Sequence, residues 1–178
     1  LQTFSRIAST CPCPAPFVLA TIHRAENTDD PGRFLAIWEA LKAIAREIPV
    51  YFPIHPRTRT RYRDVIEQAD HGVTAAPPAG YLDMLALIKQ AEAVITDSGG
   101  VQKEAFLLRT PCLTVRQTTE WPETIEAGWN RLVEADSRAI VGACRDIRAS
   151  APPVPTSRPF GDGAAADRIA RFIKDVLA

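Results

Sequence analysis

The feature that most restricts this chain is a repeated exchange between two periodicities. Short apolar runs of strand length are each followed by a segment whose apolar residues fall three and four apart. Phe17 to Ile22 is the first such run; Asp30 and Pro31 then supply a helix N-cap and a proline at the first helical position. Phe34, Ile37, Trp38, Leu41, Ile44, Ala45 and Ile48 trace the helical face that follows. Val50 to Ile54 reads as a strand ended by His55-Pro56, about Thr58 to Gln68 as a polar helix, and the region of Val73 as a weak strand ended by Pro77-Pro78. Tyr81, Met84, Leu85 and Ile88 mark a helix, Ala93 to Thr96 a strand, Val101 to Leu108 a helix and Cys112 to Val115 a strand. A short helix at Glu123 to Ala127, a strand at Arg131 to Val133 and a helix from Ser137 to Arg148 continue the exchange. A proline-rich loop, Ala151 to Pro159, leads to a last helix with Ile169, Phe172, Ile173 and Val176 on one side. Strands that alternate with helices pair in parallel through helical crossovers. The expected fold is therefore α/β, a Rossmann-like parallel sheet sandwiched by helices.

With 178 residues the chain has the size of one domain. Cys11-Pro12-Cys13-Pro14-Ala15-Pro16 cannot be helical, so residues 1–16 are expected to be a linker or N-terminal extension and residues 17–178 the folded domain. Lys and Arg number 21 against 21 Asp and Glu, and the net charge of 0 withdraws the usual electrostatic argument for binding nucleic acid or an anionic membrane. Arg57, Arg59, Arg61 and Arg63 are two apart and so do not share a helix face, which favours a solvated segment over a nucleic-acid patch. No apolar run approaches the roughly 18 residues of a membrane span, and the start lacks the basic and apolar regions of a signal peptide. These readings predict a cytoplasmic protein with no nucleic-acid or membrane partner. The four cysteines form no metal-binding spacing; Cys112 and Cys144, in apolar stretches, read as buried reduced thiols. Neither a metal nor a cofactor is expected.

In such sheets ligands bind where strands end and helices begin, which selects the loops after Ile22, Ile54, Thr96 and Val115. Thr96-Asp97-Ser98-Gly99-Gly100 joins an apolar strand to a helix. Paired glycines permit close backbone approach, free N–H groups at a helix start attract phosphate, and Ser98 adds a hydroxyl. Glu104, just over a turn later, could accept ribose hydroxyls. The alternatives are a plain strand-to-helix turn and a solvated glutamate. The G-x-S-x-G elbow of serine hydrolases is absent. Gly161-Asp162-Gly163 imitates a dinucleotide fingerprint but reads better as a turn capping the last helix. His23-Arg24-Ala25-Glu26-Asn27 follows the first strand, where His23 could donate to a phosphate or transfer a proton; the alternative is a polar loop in which Asn27 caps a helix. His55 follows the second strand, and His71 reads as a surface turn. In the loop from Arg116 to Glu123, an arginine and the hydroxyls of Thr118 and Thr119 could hold a nucleotide sugar.

Five segments together carry a resemblance. Thr21-Ile22-His23-Arg24-Ala25-Glu26-Asn27, Pro53-Ile54-His55-Pro56-Arg57, Thr96-Asp97-Ser98-Gly99-Gly100-Val101-Gln102-Lys103-Glu104-Ala105, Thr118-Thr119-Glu120-Trp121-Pro122-Glu123 and Phe160-Gly161-Asp162-Gly163 resemble the C-terminal half of the non-hydrolysing UDP-N-acetylglucosamine 2-epimerases. The resemblance implies half of a GT-B fold, with an N-terminal domain of the same enzyme facing this one across a cleft. It implies C2 epimerisation of UDP-N-acetylglucosamine to its manno isomer: UDP is eliminated to a 2-acetamidoglucal and adds back after protonation from the opposite face. Ser98, Gly99 and Gly100 would bind the diphosphate, Glu104 the ribose, and His23 would assist departure of UDP, with Arg24 and Glu26 lining the cleft. His55 would border a regulatory sugar-nucleotide site found in some members, and a homodimer and a place in cell-envelope polysaccharide synthesis are implied as well. Three positions depart from some members, which have Arg at Trp121, Gln at Ala79 and Phe at Met84. The Glu120-Trp121 form also occurs in relatives acting on UDP-diacetamido-uronic acids. The family's acid and base carboxylates belong to the N-terminal domain, so this chain alone is expected to turn over no substrate. The rival readings are the donor half of a GT-B glycosyltransferase and a non-enzymatic nucleotide-sugar sensor.

Overall fold

The apolar runs become six short strands: β1 (Val18–Thr21), β2 (Val50–Pro53), β3 (Val73–Ala76), β4 (Ala93–Thr96), β5 (Cys112–Val115) and β6 (Asn130–Val133). They form one sheet, parallel throughout, in the order β3-β2-β1-β4-β5-β6. The computed structural model that gives this arrangement describes residues 15–68, 72–150 and 159–177. The proposed linker up to residue 14, His71 and residues 151–158 of the proline-rich loop lie outside the described residues.

Side chains on a strand alternate between faces, and the core divides accordingly. Val18 and Ala20 of β1 pack with Phe34, Trp38 and Leu41 of α2 (Pro31–Ala45) and with Ile140 and Ala143 of α8 (Ser137–Ala149). Leu19 turns the other way, toward Leu87 and Ile88 of α5 (Tyr81–Gln90) and Val101 and Ala105 of α6 (Gly99–Leu108). Thus β1 leads to a helix on one face while its neighbour β4 leads to a helix on the other. A crevice opens at such a divergence, beyond the C-terminal ends of the two strands.

Local chemistry explains several element ends. Asp30 Oδ1 accepts from the Gly32 and Arg33 amides at 2.8 and 3.1 Å, starting α2 with Pro31 in first place. Asp136 caps α8 through the Ala139 amide at 2.8 Å. Arg109, at φ 58°, terminates α6 in the left-handed region. Ile48 lies beyond the last residue of α2 yet is buried with its face.

Two local differences from the sequence reading stand out. A short helix, α1 (Ala25–Thr28), follows β1. The expected helix after Ile54 starts at Pro56 and divides at Tyr62 into α3 (Pro56–Arg61) and α4 (Arg63–Ile66). The Tyr62 ring stacks on Phe34 at 3.8 Å and its hydroxyl donates to the Thr28 carbonyl at 2.8 Å, so a tertiary anchor sits at the break. The arginines of this stretch are more engaged than a solvated segment requires. Arg57 and Arg61 both pair with Asp29, and Arg59 donates to the Ala75 carbonyl.

After α7 (Pro122–Glu126), β6 and α8, the chain reaches α9 (Ala165–Leu177). Gly161 and Gly163, at φ 78° and 84°, make the turn before it, and Asp162 accepts from the Ala164 amide at 3.1 Å, as a helix-capping turn requires. No residue of α9 is buried. Cys112 and Cys144 are free and buried, and burial pushes their thiols up to about 12 and about 11. Among the described residues there is no cluster of three or more metal-ligating side chains, and no helix is long and apolar enough to cross a membrane.

Candidate functional site at the divergence of two strands

Parallel register places Thr21 opposite Thr96, and their hydroxyls meet at 2.7 Å at the C-terminal ends of β1 and β4. The Thr96 hydroxyl also accepts from the Ser98 amide at 3.0 Å, bending the chain out of the strand and toward α6. Between them lies Asp97, whose relative exposure is 0%. Its carboxylate accepts from the His23 amide at 3.1 Å, the Arg24 amide at 3.0 Å and the Asn27 side-chain amide at 3.0 Å. The same carboxylate stands 3.4 Å from Nδ1 of His23. Asn27, also fully buried, gives a second hydrogen bond to the Val115 carbonyl, and its own oxygen accepts from the Arg33 guanidinium. It therefore ties three strand ends together rather than capping a helix; Arg24 is the N-cap of α1 and Asp30 that of α2.

Ser98 caps α6, its hydroxyl accepting from the Val101 amide at 3.4 Å. The N–H groups of Gly99 and Gly100, in the first turn of the helix, have no intrahelical acceptor, and the helix dipole adds positive character there. That is a site for an anion. Glu104, four residues after Gly100 and so on the same side of α6, is partly buried. Burial without a cation beside it raises its carboxyl above the ordinary glutamate range.

The loop after β5 closes over the same turn. Arg116 donates to both oxygens of Glu120 at 2.9 and 2.7 Å, Glu26 stands 3.7 Å from Arg116, and Arg24 stands 3.5 Å from Glu120. Hydrogen bonding from Arg116 holds the Glu120 carboxyl down at about 2, and raises Arg116 in turn. A methyl group added to Gly99 would come within 3.1 Å of the Glu120 carboxylate, so the bare glycine lets this acid lie close over the helix start. Trp121 donates from its indole N–H to the Gly99 carbonyl at 2.8 Å. The Lys103 ammonium lies over the Trp121 and Phe160 rings, at 4.5 and 4.7 Å from their centroids.

A largely apolar pocket of about 170 Å³ adjoins these groups, lined by His23, His55, Thr21, Ala79, Met84 and Val101 among others. Ala79 and Met84, two of the departures from the family pattern, thus line the same pocket as His23. His55 accepts from the Arg57 amide through Nδ1 at 3.2 Å and so also caps α3.

Of the residues singled out from sequence, His23, Arg24, Glu26, Ser98, Gly99 and Gly100 converge at one end of the sheet, and Glu104 lies a turn farther along α6. Thr118 is exposed in the neighbouring loop. The Thr119 hydroxyl is engaged within the protein, donating to Gln102 Oε1 at 2.5 Å and accepting from the Trp121 amide at 3.0 Å. Sequence reasoning missed Asp97 and Asn27 as the hub of the site; it offered the arginine at 116 as a ligand for a nucleotide sugar, and the structure pairs Arg116 with Glu120 and Glu26. The available signal was position: an acid that closes an apolar strand just before a Gly-Gly turn is destined for burial and must find donors.

Comparison with known proteins gives the family. A family model described as UDP-N-acetylglucosamine 2-epimerase matches residues 3–174. The chain is similar to the UDP-2,3-diacetamido-2,3-dideoxy-D-glucuronate 2-epimerase of Pseudomonas aeruginosa, 44% identical over 160 residues that make up 88% of this chain and 44% of that protein. It is 37% identical over 163 residues to the UDP-N-acetylglucosamine 2-epimerase of Methanocaldococcus jannaschii, again 88% of this chain and 44% of the other. A crystal structure of the Methanocaldococcus jannaschii enzyme in complex with UDP-GlcNAc and UDP superposes with a TM-score of 0.83 at 33% identity, covering 97% of this chain and 49% of that one. A glycosyltransferase of kitacinnamycin superposes at a TM-score of 0.53 with 14% identity, which speaks to fold alone. The chain spans slightly less than half the length of the curated relatives it matches.

Proposed function

The chain belongs to the UDP-N-acetylglucosamine 2-epimerase family, and from that premise we propose that it is the UDP-sugar-binding half of such an isomerase. The observation that carries this reading is that His23 and Arg24 are both held on Asp97, next to the first turn of α6 at Gly99 and Gly100, with Glu104 on the same side of the helix. The diphosphate lies at the start of α6, where backbone N–H groups and the helix dipole meet its charge without a basic surface. Its ribose hydroxyls donate to Glu104, and the base enters the apolar pocket against Ala79 and Met84. His23 stabilises the departing diphosphate as the C1–O bond breaks and the C2 proton is removed. UDP then adds back to the glucal once a proton has reached C2 from the other face.

The carboxylates that move the C2 proton belong to a facing N-terminal domain, and the completed enzyme pairs with a second copy. The uncovered apolar side of α9, with Ile169, Phe172, Ile173 and Val176 all exposed, supports a further unit beside this one. The sugar product serves cell-envelope polysaccharide synthesis from the cytoplasm. A second reading, in which the substrate is a UDP-diacetamido-uronic acid, is favoured by the 44% identity to the Pseudomonas aeruginosa enzyme and by Trp121.

Calorimetry tests the assignment. The chain is expected to bind UDP, and Glu104→Ala to weaken binding about tenfold, as loss of hydrogen bonds to a charged group predicts. Absence of UDP binding at millimolar concentration defeats the site assignment, and C2 deuterium exchange catalysed by the chain alone defeats the division of labour. Adding the N-terminal half of a relative with either UDP-sugar, followed by product analysis, separates the two epimerase readings from a glycosyltransferase.

A further inference from the structure

We propose that Asp97 is the positioning residue of this cleft: it fixes the loop after β1 and turns the His23 ring so that its Nε2 edge meets the sugar nucleotide. The role of His23 in that statement rests on the functional reading above; the geometry does not. Asp97 is fully buried and is the immediate neighbour of Ser98, which caps the phosphate-facing helix. Its amide donates to the Thr21 carbonyl at 3.3 Å, and its carboxylate collects the amides of His23 and Arg24 and the side chain of Asn27. One side chain therefore sets the His23 loop and the Gly99-Gly100 turn relative to each other, although they lie more than 70 residues apart in sequence.

A carboxylate is required by this arrangement because it only accepts. Asparagine, of almost the same shape, keeps only one acceptor oxygen; with that oxygen toward Arg24 and Asn27, its NH2 group faces Nδ1 of His23 and donates where the carboxylate accepts. Burying a charge is costly unless donors converge on it, and here they come from the one segment that must be placed. The 3.4 Å contact with Nδ1 acts on the ring itself. In a neutral imidazole an acceptor beside Nδ1 draws the proton there and leaves the Nε2 lone pair outward. In the protonated ring, the Nδ1 proton stays with Asp97 and a second N–H at Nε2 points to where a diphosphate would lie. In both states the atom turned away from Asp97 is Nε2, and the half-exposed ring is one of the groups that line the pocket.

Long-range nitrogen–proton NMR on the ligand-free chain, with His23 assigned by loss of its signals in His23→Gln, reads this directly. A His23 ring that carries a proton on Nδ1 is the expected result. A ring whose sole proton is on Nε2, or one that exchanges between tautomers as in an unstructured peptide, overturns the proposal. In UDP titrations, Asp97→Asn should weaken binding about tenfold when His23 is present and under about threefold in His23→Gln, the non-additivity of residues acting as a unit. Equal losses in both backgrounds refute action through His23. Should Asp97→Asn fail to fold by circular dichroism, the tautomer of the unaltered chain decides. Failure of the unaltered chain to bind UDP counts against the functional reading and leaves the tautomer result standing.

Discussion

Asp97 and Glu120 are two carboxylates beside the Gly99 turn, one two residues before it in the chain and one brought to it by the loop after β5, and they are held in contrasting ways. Asp97 is sealed from water and surrounded by uncharged N–H donors, whereas the Glu120 side chain is 49% exposed and lies against the Arg116 guanidinium. Desolvation makes the first arrangement stringent: every donor must be in place, so the carboxylate dictates the loop that supplies them. Solvent makes the second forgiving. A partly exposed ion pair is screened and contributes little to stability, and Arg24, 3.5 Å from Glu120, is only loosely held. One carboxylate is held by a buried set of donors and the other by a solvent-screened pair.

The sharpest way to break this contrast is Asp97→Ala. It strands the amides of His23 and Arg24, leaves the Asn27 side-chain amide with the Val115 carbonyl alone, and is expected to cost about 3 kcal/mol in urea denaturation, as for breaking a buried charged network. A loss below about 1 kcal/mol would place Asp97 in the same class as Glu120.

Trp121→Phe is intermediate. It removes the indole N–H from the Gly99 carbonyl while keeping an aromatic ring beside Phe160, and should cost about 1 kcal/mol in the same measurement. No change would mean that the indole hydrogen bond to Gly99 contributes nothing to holding the loop on the turn.

The smallest effect belongs to Glu120→Gln, under about 1 kcal/mol at neutral pH and less as salt is added. Its pH dependence has a definite sign. The folded carboxyl titrates near 2, below its ordinary value of 4.5, so the pairing stabilises the protein above that ordinary value and loses its effect as pH falls toward 2. Thermal denaturation of the two proteins should converge on acidification; a gap that widens instead would show that Glu120 is not held by Arg116.

The order of strands and helices was legible in the residues because apolar period is a local property. The turn at Ser98 and the cap at Asp30 were legible for the same reason: each is completed within three residues of its side chain. The break at Tyr62 was not, since it coincides with a ring stacked on Phe34 and a hydroxyl bonded to Thr28, far off in the chain. Asn27 shows the limit most plainly. A capping role is the local guess for an asparagine in a polar loop, and its actual partners are Asp97, Val115 and Arg33.

The last two long helices mark the same boundary. α8 and α9 each have 13 residues and one apolar side, yet α8 buries Ile140, Ala143 and Cys144 against the sheet while α9 buries nothing among the described residues. The pattern of the sequence determined that both would be helices and which side of each would seek cover. Only the tertiary structure decided that α8 finds that cover, and that β1 lies beside β4 so that Asp97 meets His23 and Arg24. The reason is physical: periodicity and capping act over a few residues, whereas the neighbours of a buried charge are chosen by the way parallel crossovers stack strands from distant parts of the chain.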